Sequence, residues 1–184
     1  MKLKQTLLFT ASSLLILASA SSQAGRQGID FYYGLGLGAA QPADVDASAT
    51  GEIILGIEED GWAIEGIAYN GLEAGTDDPD ADYSLSGTEI GLAYRTIEKN
   101  DRYYKIKYSR ADMDFETIDT ANNTSSTTES SGNSYTVGIG FRMDRDARLE
   151  LDYSYHNIDA LSDPVHFISL RYLWGGSPYQ GRNF

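Results

Sequence analysis

Eight stretches of this sequence alternate large apolar residues with small or polar ones at a period of two, and none keeps a helical period. They lie at Ile29–Ala39, Thr50–Glu58, Trp62–Asn70, Tyr83–Thr96, Arg102–Arg110, Ser134–Met143, Arg148–Asn157 and Val165–Trp174. In the first, Ile29, Phe31, Tyr33, Leu35 and Leu37 share one face, while Tyr32, Gly34, Gly36, Gly38 and Ala40 share the other. A soluble sandwich would present a polar face to water. Here the second face is small, as a narrow barrel interior requires. Later stretches set Tyr104, Ile106 and Tyr108 against Lys105, Lys107 and Ser109, and Leu149, Leu151, Tyr153 and Tyr155 against Arg148, Glu150, Asp152, Ser154 and His156. The third is ambiguous: Trp62, Ile64 and Ala68 face lipid only if Glu65 and Ile67 share the interior. The Gly34–Gly38 run lacks the strand–turn–helix setting of a nucleotide-binding loop.

The connections alternate in length. Glu59–Gly61, Glu98–Asp101 and Asp144–Asp146 are tight polar turns, whereas Gln41–Ala49, Gly71–Asp82, Ala111–Asn133 and Ile158–Pro164 are longer. Short turns at one end and longer loops at the other characterise membrane barrels, and a Greek-key sandwich has no reason to sort its loops this way. An even strand count puts both chain ends on the short-turn side. No apolar run beyond the N-terminus approaches the length of a membrane helix, so a membrane-spanning chain of this sequence has to close into a barrel. The expected fold is all-β: an eight-stranded antiparallel up-and-down transmembrane β-barrel.

The first residues read as an export signal. Lys2 and Lys4 precede apolar Leu7–Phe9 and Leu14–Ala18, and Ala18-Ser19-Ala20 offers a small-residue cleavage site, with Ser22-Gln23-Ala24 as the second choice. Thr10, Ser12 and Ser13 interrupt the run and argue against a membrane helix. The expected division is a signal peptide over 1–20 (or to 24), a barrel over 25–174 and a short periplasmic tail over 175–184. The chain has no cysteine, which excludes disulfides and a lipid-modified cysteine anchor. The signal holds two of the 14 basic residues and none of the 27 acidic ones, leaving 12 against 27. Such a balance argues against nucleic acid and against a peripheral anionic-lipid surface.

The stretches Tyr33-Gly-Leu-Gly-Leu-Gly38, Glu89-Ile-Gly-Leu-Ala-Tyr94, Tyr135-Thr-Val-Gly-Ile-Gly-Phe141 and Leu149-Glu-Leu-Asp-Tyr-Ser-Tyr155 resemble the small eight-stranded outer-membrane beta-barrel domain family of Gram-negative bacteria. The likeness covers essentially the whole mature chain and implies fold and location more than activity. It implies an outer-membrane setting with both termini periplasmic. Its implied partners are outer-membrane lipids and lipopolysaccharide, periplasmic chaperones and the barrel assembly machinery. Family members end in a strand whose last residue is aromatic. Tyr172 and Trp174 supply that pattern, but ten residues follow before Phe184, so the assembly signal lies at Trp174 or at Phe184, with Trp174 favoured.

Inward positions carry acids at Glu65, Glu89, Glu150 and Asp152 and bases at Arg95, Lys105, Lys107, Arg142, Arg148 and Arg171. Charges in a narrow lumen must pair, so a cross-barrel network is expected in preference to a solute or ion channel. The longer loops are acidic, with Asp44, Asp46, Glu73, Asp112, Asp114, Glu116, Asp119, Glu129, Asp159 and Asp163 and no lysine or arginine. Asp77, Asp78, Asp80 and Asp82 are the best candidates for a weak divalent cation, although they lack the spacing of a calcium loop. No other cofactor is expected. Thr120–Gly132, rich in Ser, Thr and Asn, reads as a mobile loop. Some barrels of this size modify lipid A, and Asp152, Ser154 and His156 share one face. The deacylase family places its histidine two residues before its serine, facing lipid. Here Ser154 comes first, and the resemblance fails. The sequence favours a non-enzymatic structural or surface-interaction protein with acidic extracellular loops, whose external ligand it does not identify.

Overall fold

The structure, a computed structural model, describes residues 29–42, 46–75, 81–96, 100–119, 121–122, 124–144, 146–159, 161 and 163–175. Eight strands cross it: β1 Asp30–Gln41, β2 Ser48–Glu59, β3 Trp62–Gly71, β4 Ala81–Arg95, β5 Arg102–Asp119, β6 Thr124–Asp144, β7 Ala147–Ile158 and β8 Val165–Gly175. A two-residue segment, Ala74–Gly75, lies beside Tyr83 and Asp82 as a short extension of the β3–β4 connection. Each strand pairs antiparallel with the next, and β8 pairs with β1, so no strand in the membrane-crossing part is left as an edge. Closure satisfies the backbone amides that lipid cannot.

The registers define the stagger. Cross-strand partners run from Asp30 through Glu58, Ala63, Ala93, Lys107, Thr136, Ser154 and Phe167 and return to β1 at Ala40, ten residues further along. A stagger of this size tilts the strands and sets the width, leaving an interior that side chains fill.

Local chemistry makes the turns. Asp60 and Gly61 both take positive φ, 49° and 82°, forming the two-residue turn whose twist matches a hairpin. The Gly61 carbonyl also accepts from the Arg95 amide at 2.7 Å, tying this turn to β4. Outside, Leu35, Leu37, Ile53, Ile64, Ile90, Leu92, Ile106, Val137, Leu151, Ile168 and Leu170 form an exposed apolar band. So much exposed apolar surface needs lipid against it. Aromatics flank the band. Tyr33 stacks on Trp174 at 5.7 Å and Trp62 meets Tyr94 at 4.9 Å near the short turns, while Tyr108 meets Tyr135 at 5.4 Å toward the long loops.

One expectation needs correction: the composition of Ala111–Asn133 reads as a loop, but β5 continues to Asp119 and β6 begins at Thr124. Thr and Ser pair well in a ladder, and on β5 the acids Asp112, Asp114 and Glu116 alternate with Met113 and Phe115. Composition reads as loop; the period, carried past Arg110, reads as strand.

Candidate functional site

The interior is built in two layers. In the first, toward the short turns, Lys105 of β5 reaches Glu65 of β3 at 3.0 Å and Glu150 and Asp152 of β7 at 2.8 and 2.9 Å. Arg95 of β4 lies beside it, with Nε 2.8 Å from Glu150 and Nη2 2.8 Å from Glu65. Arg148 joins Glu58 at 2.9 Å, Arg171 joins Glu52 at 2.6 Å and also Asp152, and Lys107 joins Glu89 at 2.6 Å. Two phenols complete the layer: Tyr32 donates to Glu65 at 2.9 Å and Tyr103 to Glu150 at 2.8 Å. Every strand except β6 contributes a member.

The contribution of β6 is space. A Cβ on Gly140 would run into the Tyr103 ring, and one on Gly56 of β2 into the Tyr32 ring. These two positions explain why the inner face of those strands is small where a large phenol crosses the lumen. Among the described residues, six buried carboxylates (Glu52, Glu58, Glu65, Glu89, Glu150 and Asp152) face five buried bases: Arg95, Lys105, Lys107, Arg148 and Arg171. Glu65 is the hub, holding Tyr32, Arg95, Lys105 and Lys107.

Of the residues singled out for the lumen, Glu65, Glu89, Arg95, Lys105, Lys107, Arg148, Glu150, Asp152 and Arg171 are brought together. Arg142 is half-buried at the short-turn rim, where the β6–β7 register shifts. Glu52 and Glu58 were missed. Both sit on the inner face of β2, but Ile54 shares that face, so alternation alone does not mark them as lumen residues.

The second layer is apolar. Ile67, Tyr69, Leu85, Met113, Ile158, Val165 and Phe167 pack across the long-loop end of the lumen, all buried. Tyr69 meets Phe167 edge-on at 5.4 Å. Apart from Ile67, no signal in the sequence distinguished these positions from polar lumen sites.

The trio Asp152, Ser154 and His156 faces the lumen and is buried, but each member has its own neighbour. Asp152 binds Lys105 and Arg171; Ser154 shares a hydrogen bond of 2.8 Å with Thr136; His156 Nε2 lies 3.5 Å from Ser134 and 4.0 Å from Glu89. Asp82 is half-buried at the start of β4, and Asp77, Asp78 and Asp80 lie outside the described residues. Among the described residues no group of three His, Cys, Asp or Glu is arranged to hold a metal ion. At the end of β8, Tyr172 packs on Trp174 at 4.6 Å, and Gly175, with φ of 77°, closes the strand onto the Asp146 carbonyl. Phe184 and the expected signal segment lie outside the described residues.

Beyond the barrel wall, the outer parts of β4, β5 and β6 form a three-stranded sheet. Its tip is capped by Asp119, whose carboxylate accepts from the Asn122 side chain and backbone at 2.9 Å, holding that carboxyl below its ordinary range. One face of the sheet carries Asp112, Asp114, Glu116 and Glu129.

Residues 10–174 match the family model described as outer membrane protein beta-barrel domain. Among solved structures, Neisserial surface protein A aligns with a TM-score of 0.60 at 12% identity, covering 80% of this chain and 97% of that one. OprG from Pseudomonas aeruginosa aligns at 0.57 and 14%, covering 82% and 95%. Ail, the attachment invasion locus protein of Yersinia pestis, aligns at 0.55 and 12%, covering 81% and 99%. At these identities the likeness is one of fold. A search of curated proteins finds no match. With the family model spanning all eight strands, the chain belongs to the outer membrane protein beta-barrel domain family, an outer-membrane protein of the Gram-negative envelope that crosses the bilayer by its strands.

Proposed function

We propose that this protein is a non-enzymatic surface protein whose barrel is sealed and whose long, acidic connections face outward, with both chain termini in the periplasm. The observation that carries this reading is the double closure of the lumen. Buried ion pairs around Glu65, Arg95, Lys105, Glu150 and Asp152 span one level, and Met113, Leu85, Tyr69 and Phe167 span the next. A solute would have to separate paired charges and then cross an apolar layer, and both steps are costly. A lipid substrate cannot reach Ser154 or His156 behind the barrel wall.

What remains for function is the outer surface. Ail has been solved in complex with the heparin analogue sucrose octasulfate. The outer sheet here has the opposite preference, since its acids repel such an anion and favour a cationic contact. Lipids, lipopolysaccharide, chaperones and the assembly machinery are the partners a barrel of this class meets on its way to the membrane.

Planar-bilayer recording of the refolded protein tests the sealed lumen. No steady conductance is expected from the wild type. Steady openings that change when Lys105 or Lys107 is replaced would favour the channel reading instead.

A further inference from the structure

Among the described residues, the outer sheet has one edge without a ladder partner. β6 starts at Thr124, but its pairing with β7 begins only at Gly132. Among the described residues, Thr124–Glu129 have a ladder partner on the β5 side alone. The Ser131 carbonyl points to the β7 side, where it accepts from the Asp159 amide at 3.0 Å. Backbone groups alternate sides along a strand, so Ser125, Thr127 and Glu129 direct their N–H and C=O groups to the open edge. Natural edges are blunted by lysine, proline or a bulge. This segment has no lysine and no proline, and its register with β5 is unbroken.

A second observation concerns charge. Asp114 and Glu129 are direct cross-strand partners. Glu129 turns its backbone groups away from β5, which makes this the closer, non-hydrogen-bonded kind of pair. Like charges directly opposite one another are destabilising. Glu116 and Asp112 share the face; the nearest base on it, Arg110, sits at its inner end and is held by Ser131 and Asp159, and the chain from Ala111 to Gly132 adds no lysine or arginine.

We propose that the open edge of β6 is a docking site for an extended, basic segment of another protein, added as an antiparallel strand. Its alternate lysines or arginines would lie over Glu129, Asp114 and Glu116, and its backbone would complete the ladder at Ser125, Thr127 and Glu129. A second copy of this chain fits poorly. It would bring the same acids to the edge, and two copies in one membrane both run β6 toward the bilayer, which allows only the less stable parallel pairing. The inference rests on the outward placement of the long connections.

The test uses the full chain in lipid nanodiscs and a short synthetic peptide alternating lysine with threonine, with a glutamate–threonine peptide as control. Amide hydrogen exchange is followed residue by residue. The lysine peptide is expected to slow exchange at Ser125, Thr127 and Glu129, and the control to leave it unchanged. Thr127→Pro removes one open-edge N–H without touching the β5 ladder and should abolish the protection; gel mobility before and after heating confirms that its barrel is folded. Glu129→Gln, which keeps the backbone intact, should weaken binding by up to about fivefold. Lysine-peptide binding unaffected by both variants, equal binding of the control, or protection that appears on concentrating the protein alone would each overturn the proposal. A conducting lumen would overturn the sealed-barrel reading and leave these outcomes unchanged.

Discussion

Replacing Lys105 by Met is the most informative single change in the lumen. The side chain keeps its unbranched apolar stem, one atom shorter, and loses a charge that touches Glu65, Glu150 and Asp152. Removing one partner from a buried ion pair costs about 3–5 kcal/mol, because the other is left in a medium that solvates it poorly. Each orphaned carboxylate here keeps another cation: Glu65 has Arg95 and Lys107, Glu150 has Arg95, and Asp152 has Arg171. The expected loss is therefore at the lower end, about 3 kcal/mol. The charge balance separates this from the opposite change. Six buried carboxylates already outnumber five bases, and Lys105→Met widens the gap. Glu65→Gln closes it and removes only charge-assisted hydrogen bonds, for about 1.5–3 kcal/mol. In the double variant the two losses should fall short of their sum by at least about 0.5 kcal/mol, because they share a contact. Urea unfolding in lipid vesicles, followed by the fluorescence of Trp62 and Trp174, measures all three. If Lys105→Met unfolds with the wild type, or if the double variant is strictly additive, the lumen charges are solvated and the paired network is wrong.

Three further changes probe the wall and its fillings, and a fourth in the outer sheet serves as a control. Gly140→Ala puts a Cβ into the Tyr103 ring and should destabilise by about 1–3 kcal/mol in the same assay. Phe167→Ala opens the apolar layer and should cost about 3–5 kcal/mol while leaving strand circular dichroism unchanged. Leu170→Arg places a charge on the lipid face between the Tyr172–Trp174 pair and His166, for about 2–4 kcal/mol, whereas Ser126→Arg in the outer sheet should be close to neutral.

The barrel wall was legible because lipid and lumen impose a strict alternation on neighbouring residues. Trp62 and Ile64 point out, so Glu65 has to point in, and the structure places it at the centre of the network. The Asp60-Gly61 turn and the sorting of loop lengths carry their geometry in local sequence. The meeting of interior charges is different in kind. Arg148 finds Glu58 three strands away, and Arg171 finds Glu52 over Gly36 of β1, only because β8 closes on β1, which no short window encodes. Met113, Leu85 and Phe167 obey the same alternation as the charged positions, so their side of the wall is readable but their assembly into one layer is not. The Thr124–Ser131 stretch misleads for a plain reason. Polar residues on both faces are what a loop shows, and equally what a strand shows when it stands in water on both sides.

Every contact proposed for the outer sheet requires the long connections to lie outside the cell. The chain has no cysteine, so a single introduced one can be read without interference. Ser126→Cys in the outer sheet and Asp60→Cys in the β2–β3 turn, each exposed to a membrane-impermeant maleimide on intact cells, report the two ends of the barrel. Labelling at position 126 with none at 60 until the cells are broken is the predicted result. Labelling at 60 in intact cells, with 126 protected, would invert the barrel and contradict the surface role.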